Sequence, residues 1–328
     1  MNKNHHLCQY DDPDGIPCLE EAMKHSHYCY WHDSSVDKSG PEVKEALIEF
    51  TRSGGMTRGI CLKNTDLKNI DLVNHYHKEG FDFSYADFYR ANLSGAHLFN
   101  INFNHTSLMK SDLRYANLNC ANLNGANLLG IKWKGCKIEH LSIGKKLVQE
   151  VRAKQLLKEG EQALALDQFE QAEEIYRDLR KHAEMEGIFT MSGELIQKEL
   201  TMRRMQMPKA SFRRFSSKIV DLFCGYGEDP IRIVGISLLL IVICAALYTY
   251  TGLSYQGDVL TYDSNKSITE NFSLFLSCLY YSIVTFTTLG YGDFTPVGIS
   301  RAIAAIEAFT GSFTIALFVV VFVKKMTR

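Results

Sequence analysis

The chain has 328 residues and a formal net charge of -1, room for roughly two or three folded units and no charge excess of the kind that marks a nucleic-acid partner. Nine cysteines, an odd number spread along the sequence, do not form the pattern of a disulfide framework. The mean hydropathy of -0.12 averages two unlike parts, because most of the charge precedes Asp229 and most of the long apolar runs follow it.

Residues 1–40 are rich in Cys, His and Asp. The opening Met1 to Cys8 lacks the apolar core of a signal peptide, so this part is expected to stay in a reducing cytosol. Cys8, Cys18, Cys29 and His32 are the candidate ligands of a structural zinc ion. Cys29-Tyr-Trp-His32 has tight ligand spacing, while the gaps before it are wider than in common fingers. His25 and His27 are rival ligands, and free thiols in a tail are the alternative. A segment this short has little else from which to build a core, which favours the metal.

Residues 57–145 carry a five-residue repeat. Large apolar residues recur at Phe83, Phe88, Leu93, Leu98, Phe103, Leu108, Leu113, Leu118, Leu123, Leu128, Trp133, Ile138 and Ile143. Small residues such as Ala86, Ala91, Ala96, Ala116, Ala121 and Ala126 stand two places earlier relative to the next large one, with Asn or Asp often between. Leu62, Leu67 and Leu72 form an earlier stretch in a different register, and the segment Val73 to Gly80 breaks the phase. The pattern resembles the pentapeptide-repeat family, whose fold is a right-handed, four-sided β-helix with one repeat on each face. The cysteine-rich start resembles the small zinc-binding leaders found before such repeats. Some members of that family imitate DNA and need a strongly acidic surface. Arg90, Lys110, Arg114, Lys132 and Lys134 speak against that use here, and a rigid spacer or assembly domain is expected.

Residues 147–207 place Ala165, Phe169, Ala172, Tyr176, Leu179 and Ala183 on one helical face, with Gly187 before a second helix through Met205. This looks like a tetratricopeptide-like helical hairpin, packing between subunits. In residues 209–228, Phe212, Phe215, Ile219 and Leu222 alternate at helical spacing with Arg213, Arg214 and Lys218. That pattern suits an interfacial helix on membrane lipid, or an ordinary linker helix.

Residues 230–328 hold the apolar runs. Spans are expected at about 231–251 and 299–323, each near the ~20 residues that cross a bilayer. Asp229-Pro230 is a helix start, with Asp as cap and Pro in the first turn. Arg213, Arg214 and Lys218 precede the first span and Lys324, Lys325 and Arg328 follow the last, whereas the segment between is acidic. The positive-inside bias puts both ends in the cytoplasm of a multi-pass protein. The third apolar run, in 273–293, must then enter and return on one side. Irregular backbone at membrane depth is tolerated only where it is buried or lines a watery cavity, which makes this run a pore candidate.

That run ends in Thr287-Thr288-Leu289-Gly290-Tyr291-Gly292-Asp293. It closely resembles the filter of two-helix potassium channels, Thr-Val-Gly-Tyr-Gly, with Leu289 where Val is usual, over about the last hundred residues. The resemblance implies a homotetramer conducting potassium ions. Carbonyls of Thr288, Leu289, Gly290 and Tyr291 and the Thr288 hydroxyl would replace the ion's water, and glycine would take the positive-φ positions at 290 and 292. Ser273 to Phe286 would be the pore helix, and Tyr280, Tyr281 and Thr287 would support the filter. Asp293 would sit at its mouth. Val284 stands where some relatives carry a glutamate, so the inactivation behaviour tied to that residue is not carried over. A second Gly-Tyr-Gly, Gly225 to Gly227, lacks the threonines and the apolar helix and reads as a linker turn.

Gly311 falls where the family keeps a gating hinge, with close helix packing as the alternative. Ser312, Ile315, Ala316 and Val319 follow at helical spacing as the inner pore lining, an apolar ring able to close by dewetting. Glu307, a charge inside a span, is expected to brace the pore helix. The expected fold class is therefore a multidomain membrane protein: a cytosolic right-handed quadrilateral β-helix and helical hairpin, then a two-span pore domain with a re-entrant loop. Nothing suggests an enzyme or a nucleic-acid partner. The rival is a membrane-anchored scaffold with a non-conducting pore.

Overall fold

The computed structural model describes residues 6–327. The chain divides into two compact units, Met1–Ser211 and Phe212–Arg328.

The first unit begins with a short antiparallel leader, bridged at Leu7 to Glu21 and Asp11 to Pro17. Helix α1 (Glu42–Arg52) follows, unforeseen between residues 40 and 57, with Val43 and Leu47 buried. The repeat then forms a stack of parallel bridges. From Asp82–Asn102 to Asn122–Ser142 the partners lie 20 residues apart, whereas Cys61–Asp87, Asp66–Asn92 and Asp71–His97 lie 26 apart. Leu62, Leu67 and Leu72 thus belong to the same coil, and the loop through residues 73–80 adds six residues to one turn without ending it.

Two regularities explain the coil. Phe83, Phe88, Leu93, Leu98, Phe103 and Leu108 are wholly buried, and the alanines two places earlier let neighbouring strands approach across a narrow core. At each corner one residue is left-handed, among them Tyr85, Arg90, Asn100, His105, Lys110 and Tyr115, with glycine at 95, 125, 130 and 135. A left-handed L-residue is unfavourable by about 1–2 kcal/mol. The burial of one Leu or Phe, worth about 1.5–3 kcal/mol, offsets this repeat by repeat. Side-chain amides add a ladder: Asn102 donates to Asp82 at 2.8 Å and Asn122 to Asn102 at 3.0 Å.

Residues 147–207 form three helices rather than a hairpin: α2 (Val148–Glu159), α3 (Gln162–Met185) and α4 (Phe189–Gln206). Gly160, at φ 88°, ends α2 in the left-handed C-cap that only glycine takes freely. The first of these helices escapes the sequence pattern because its buried side includes polar Gln149 and Glu150 beside Ala153 and Leu156. Gly187 divides α3 from α4 as expected. The helices pack on the last coils, where buried His182 donates through Nε2 to the Cys136 carbonyl at 2.7 Å and stacks on Trp133.

The second unit contains α5 (Phe212–Cys224), a 3-10 turn at Gly225–Gly227, α6 (Pro230–Thr251), α7 (Ile268–Phe286) and α8 (Ser300–Met326). Helices α6 and α8 are long and apolar enough to cross a membrane. The Asp229 side chain caps α6 as expected. Helix α7 starts five residues before the expected Ser273, because Ser267 and Glu270 form a reciprocal capping box. Three short strands, β1 (Leu253–Tyr255), β2 (Asp258–Leu260) and β3 (Phe294–Pro296), make an antiparallel sheet in the order β2-β1-β3. Gln256 and Gly257, both at positive φ, make the two-residue turn that joins β1 and β2.

Candidate ion pore and metal centre

Helix α7 delivers the chain to the threonine-glycine loop. The amides of Thr287, Thr288 and Leu289 donate to the carbonyls of Ile283, Thr285 and Val284, each at 3.0 Å, so the last turn of the helix is closed before the loop departs. From there the backbone changes hand at alternate residues: φ is 57° at Thr288, 58° at Gly290 and 81° at Gly292, while Leu289 and Tyr291 stay out of the left-handed region. Alternating hand is how a chain of L-residues and glycines turns successive carbonyls toward one side. The glycines take the positions expected of them, and Thr288 joins them although it is β-branched and must be held there against its preference. Among the described residues, none donates a hydrogen bond to the carbonyls of Leu289, Gly290, Tyr291 or Gly292. The loop thus offers four unclaimed backbone oxygens in a row.

Its supports come from three elements. Thr287 Oγ1 donates to the Ile283 carbonyl at 2.7 Å and anchors the start. Strand β3 begins directly after Asp293, and its Phe294 stacks on Tyr255 of β1 at 4.8 Å and meets Tyr280 of α7 edge-on at 6.1 Å. Tyr281 is buried, edge-on to Tyr248 of α6 at 5.0 Å. A groove of about 340 Å³ runs beside the loop, lined by Tyr281, Val284, Thr285, Tyr291, Phe294 and Ala308.

Glu307 of α8 is 1% exposed and joins three helices. It accepts from Tyr248 Oη of α6 at 2.6 Å and from Ser282 Oγ of α7. Gly311 lies one turn further along, against the end of α7: a Cβ there would come 2.1 Å from the Phe286 carbonyl oxygen. Close approach of two backbones is therefore reason enough for this glycine. Ser312, Ile315, Ala316 and Val319 are all exposed on the single chain.

The leader builds a second site. The ligand atoms of Cys8, Cys18, Cys29 and His32, all buried, lie within 4.8 Å of one another. His32 Nδ1 is 3.1 Å from Cys29 Sγ and 3.7 Å from Cys8 Sγ, and Cys18 Sγ is 4.0 Å from Cys29 Sγ. Nε2 of His32 donates to the Arg58 carbonyl at 2.8 Å, which fixes the tautomer and leaves the Nδ1 lone pair facing the sulfurs. Tyr10 stacks flat on the ring at 4.1 Å. Burial pushes the Cys18 thiol up to about 12 and raises Cys29, and it lowers His32. Three cysteine sulfurs and an imidazole crowded in one dry pocket form a donor set that fits a thiophilic dication. His25 and His27, the rival ligands, are exposed and stand outside the cluster.

With both sites described, comparison with known proteins gives two matches. A family model described as ion channel matches residues 235–328, and one described as pentapeptide repeats matches eight copies over residues 91–130. The chain joins a pentapeptide-repeat domain to an ion-channel domain. Protein LctB of Bacillus caldotenax is 39% identical over 61 residues, 19% of this chain, which spans 46% of that relative's length. Among solved structures, the pentapeptide repeat protein Rfr23 of the cyanobacterium Cyanothece 51142 is 18% identical, with 28% of this chain and 85% of that one covered and a TM-score of 0.18. HetL of Nostoc sp. strain PCC 7120, a pentapeptide repeat protein, is 31% identical, with 28% and 47% covered and a TM-score of 0.15.

The pentapeptide-repeat domain runs beyond the matched copies, since its bridges extend from Cys61 to Ser142. In the ion-channel domain, three features escape a residue-by-residue reading: the left-handed Thr288, the sheet at the loop's exit, and the partners of Glu307. The first carries no sequence signal. The second was marked by Gln256-Gly257 between short β-branched and aromatic runs, and the third by two hydroxyls within apolar helices.

Proposed function

We propose that the chain is one subunit of a potassium-selective channel, and that four copies surround one pore. The observation that carries this is the alternation of hand at Thr288, Gly290 and Gly292, with four unclaimed carbonyls, directly after the pore helix α7 and between two helices able to span a membrane. A dehydrated potassium ion needs a cage of oxygens, and one strand supplies only part of each ring. The exposure of Tyr291 and the groove beside it support neighbours that fill this space. Thr288 to Gly292 would form the filter and Asp293 its mouth. The C-terminal end of α7 would aim its partial negative charge at the cation.

Ser312, Ile315, Ala316 and Val319 would line the inner pore and close it by dewetting. Both ends would lie in the cytoplasm, beneath the cytoplasmic membrane, with 287–293 re-entering from the outer side and α5 on the inner leaflet. The 20-residue bridge spacing supports a right-handed four-sided β-helix at 57–145, which we assign with α2–α4 to subunit assembly. Residues 1–40 would hold one structural zinc ion on Cys8, Cys18, Cys29 and His32.

The test is potassium flux against sodium flux into liposomes holding the purified protein, with Gly290→Asp as control. Selective flux, lost in the control, is the expected result. Absence of flux even after Ile315, Ala316 and Val319 are changed to serine would overturn the reading and leave a membrane-anchored scaffold.

A further inference from the structure

Where α5 turns into α6, the second unit has a joint more tightly built than a linker needs. Gly225, Tyr226 and Gly227 are left-handed in succession, at φ 52°, 57° and 82°. Tyr226 Oη lies 2.8 Å from Ser217 Oγ, which ties the turn back onto α5. Arg232, in the first turn of α6, pairs with Asp229 at 2.8 Å and reaches Asp221 of α5 at 3.9 Å. The two helices are thereby held at one angle through charges on both.

This elbow also grips the far end of the inner helix. Glu228, in the turn, binds Lys324 Nζ of α8 at 2.5 Å, across 96 residues of sequence. The Glu228 side chain is 11% exposed and that of Lys324 38%. Beside the pair, Cys224, Ile233 and Val321 form a small buried apolar cluster, with Leu317 and Phe318 packed on it. The cluster and the ion pair therefore straddle the same turns of α8 that carry Val319. A half-desolvated pair of this kind is expensive to break one partner at a time, because the remaining charge stays under cover.

We propose that Glu228 and Lys324 form a latch that makes the α5–α6 elbow and the base of α8 move as one body, and that both are positioning residues for the gate. The proposal rests on the channel reading given above. Its physical content is a two-state element: the base of α8 cannot swing away from the elbow without parting the ion pair and wetting Ile233 and Val321. Chain connectivity supplies the input, since Ser211 leads directly into α5. A lysine near a helix C-terminus also favours the helix dipole on its own, and the experiment must separate that local effect from a latch.

Glu228→Lys, Lys324→Glu and the double exchange are compared with the unaltered protein in liposomes, by hydrogen exchange over residues 317–326 and by potassium flux. A latch predicts that each single reversal speeds exchange and shifts flux by about fivefold or more, and that the double exchange restores both to within about twofold. Additive effects on exchange overturn the latch, as a dipole effect of Lys324 alone would give. Coupled exchange with additive flux overturns its role at the gate. Coupled exchange in a protein that never conducts removes the channel reading and leaves the latch standing. If a reversed variant fails to assemble, Glu228→Gln, Lys324→Met and their combination form a second cycle, in which a latch predicts that the double variant departs no further than either single one and additive effects overturn it.

Discussion

The coil of residues 57–145 completes itself, whereas the loop at 287–293 does not. Coil amides such as those of Phe83 and Phe88 donate to carbonyls of the next turn, those at the corners donate within their own turn, as Ala86 does to Phe83, and Phe83, Phe88 and Phe103 are sealed inside by their own chain. The loop satisfies its amides only as far as Leu289; Leu289 is 59% and Tyr291 67% exposed, and among the described residues none donates to the carbonyls of Leu289, Gly290, Tyr291 or Gly292. Both regions place residues in the left-handed region at regular intervals, every fifth in the coil and every second in the loop. In the coil the strain is balanced locally by burial, repeat after repeat. In the loop no comparable burial stands behind Leu289 and Tyr291 within one chain. The lesson is that irregular backbone is inexpensive where a core is self-made and needs partners where it is not.

Several substitutions would break or sharpen this contrast. The largest effect is expected at the metal centre, where a structural zinc site contributes on the order of 10 kcal/mol. Cys29→Ser should abolish metal binding, seen as loss of about one zinc per chain by elemental analysis, and should expose the leader to protease. Retention of the ion would show that the other three ligands suffice. Next comes the coil: Phe88→Ala should lose about 3–5 kcal/mol in denaturant unfolding, and lose it equally in assembled and dissociated protein. An effect that depends on assembly would contradict a self-completed core.

In the ion-channel domain the effects should instead appear through assembly. Gly311→Ala places a methyl against the Phe286 carbonyl and should destabilise the helix crossing by about 1–3 kcal/mol, read as dissociation of the oligomer on detergent gels. A variant that assembles normally and changes only channel opening would favour the hinge over the packing role. Glu307→Gln puts an amide donor where the Tyr248 or Ser282 hydroxyl now donates. It should lower oligomer thermal stability by about 1–2 kcal/mol without changing ion selectivity.

The smallest effect is one of pH. Hydrogen bonds from Ser26 and Ser35 hold the Asp33 carboxyl at about 2, below its ordinary 3.8. A depressed carboxyl stabilises the fold fully above its unfolded value and ceases to do so as pH falls through the folded one. Asp33→Asn should therefore lower stability in the neutral range and flatten its further loss between about pH 4 and pH 2, leaving stability below pH 2 little changed.

Much of the fold was legible because its signals are short-range. Period-five spacing announced the coil, apolar length announced α6 and α8, and Gly290 and Gly292 announced the positive-φ positions of the loop after α7. The capping box at Ser267 and Glu270 was equally local and should have set the start of α7. Helix α2 was hidden because its inward side carries Gln149 and Glu150, whose partners are Asn127, Lys154 and Tyr176. Polarity conceals burial when the partner lies elsewhere in the chain. The choice among Cys8, Cys18, Cys29, His25, His27 and His32 was likewise open until the leader folded, since spacing along the chain does not decide which of the three histidines joins the sulfurs.

By itself, then, the sequence determined which residue types recur and at what period, and that suffices for elements whose energy comes from neighbours in the chain. Only the tertiary structure decided which His joins the three thiols, that Gly311 lies against the Phe286 carbonyl, and that Glu228 meets Lys324. Each of those depends on two segments tens of residues apart arriving within a few ångströms. No local propensity encodes such a meeting, because the free energy that drives it belongs to the packed core as a whole.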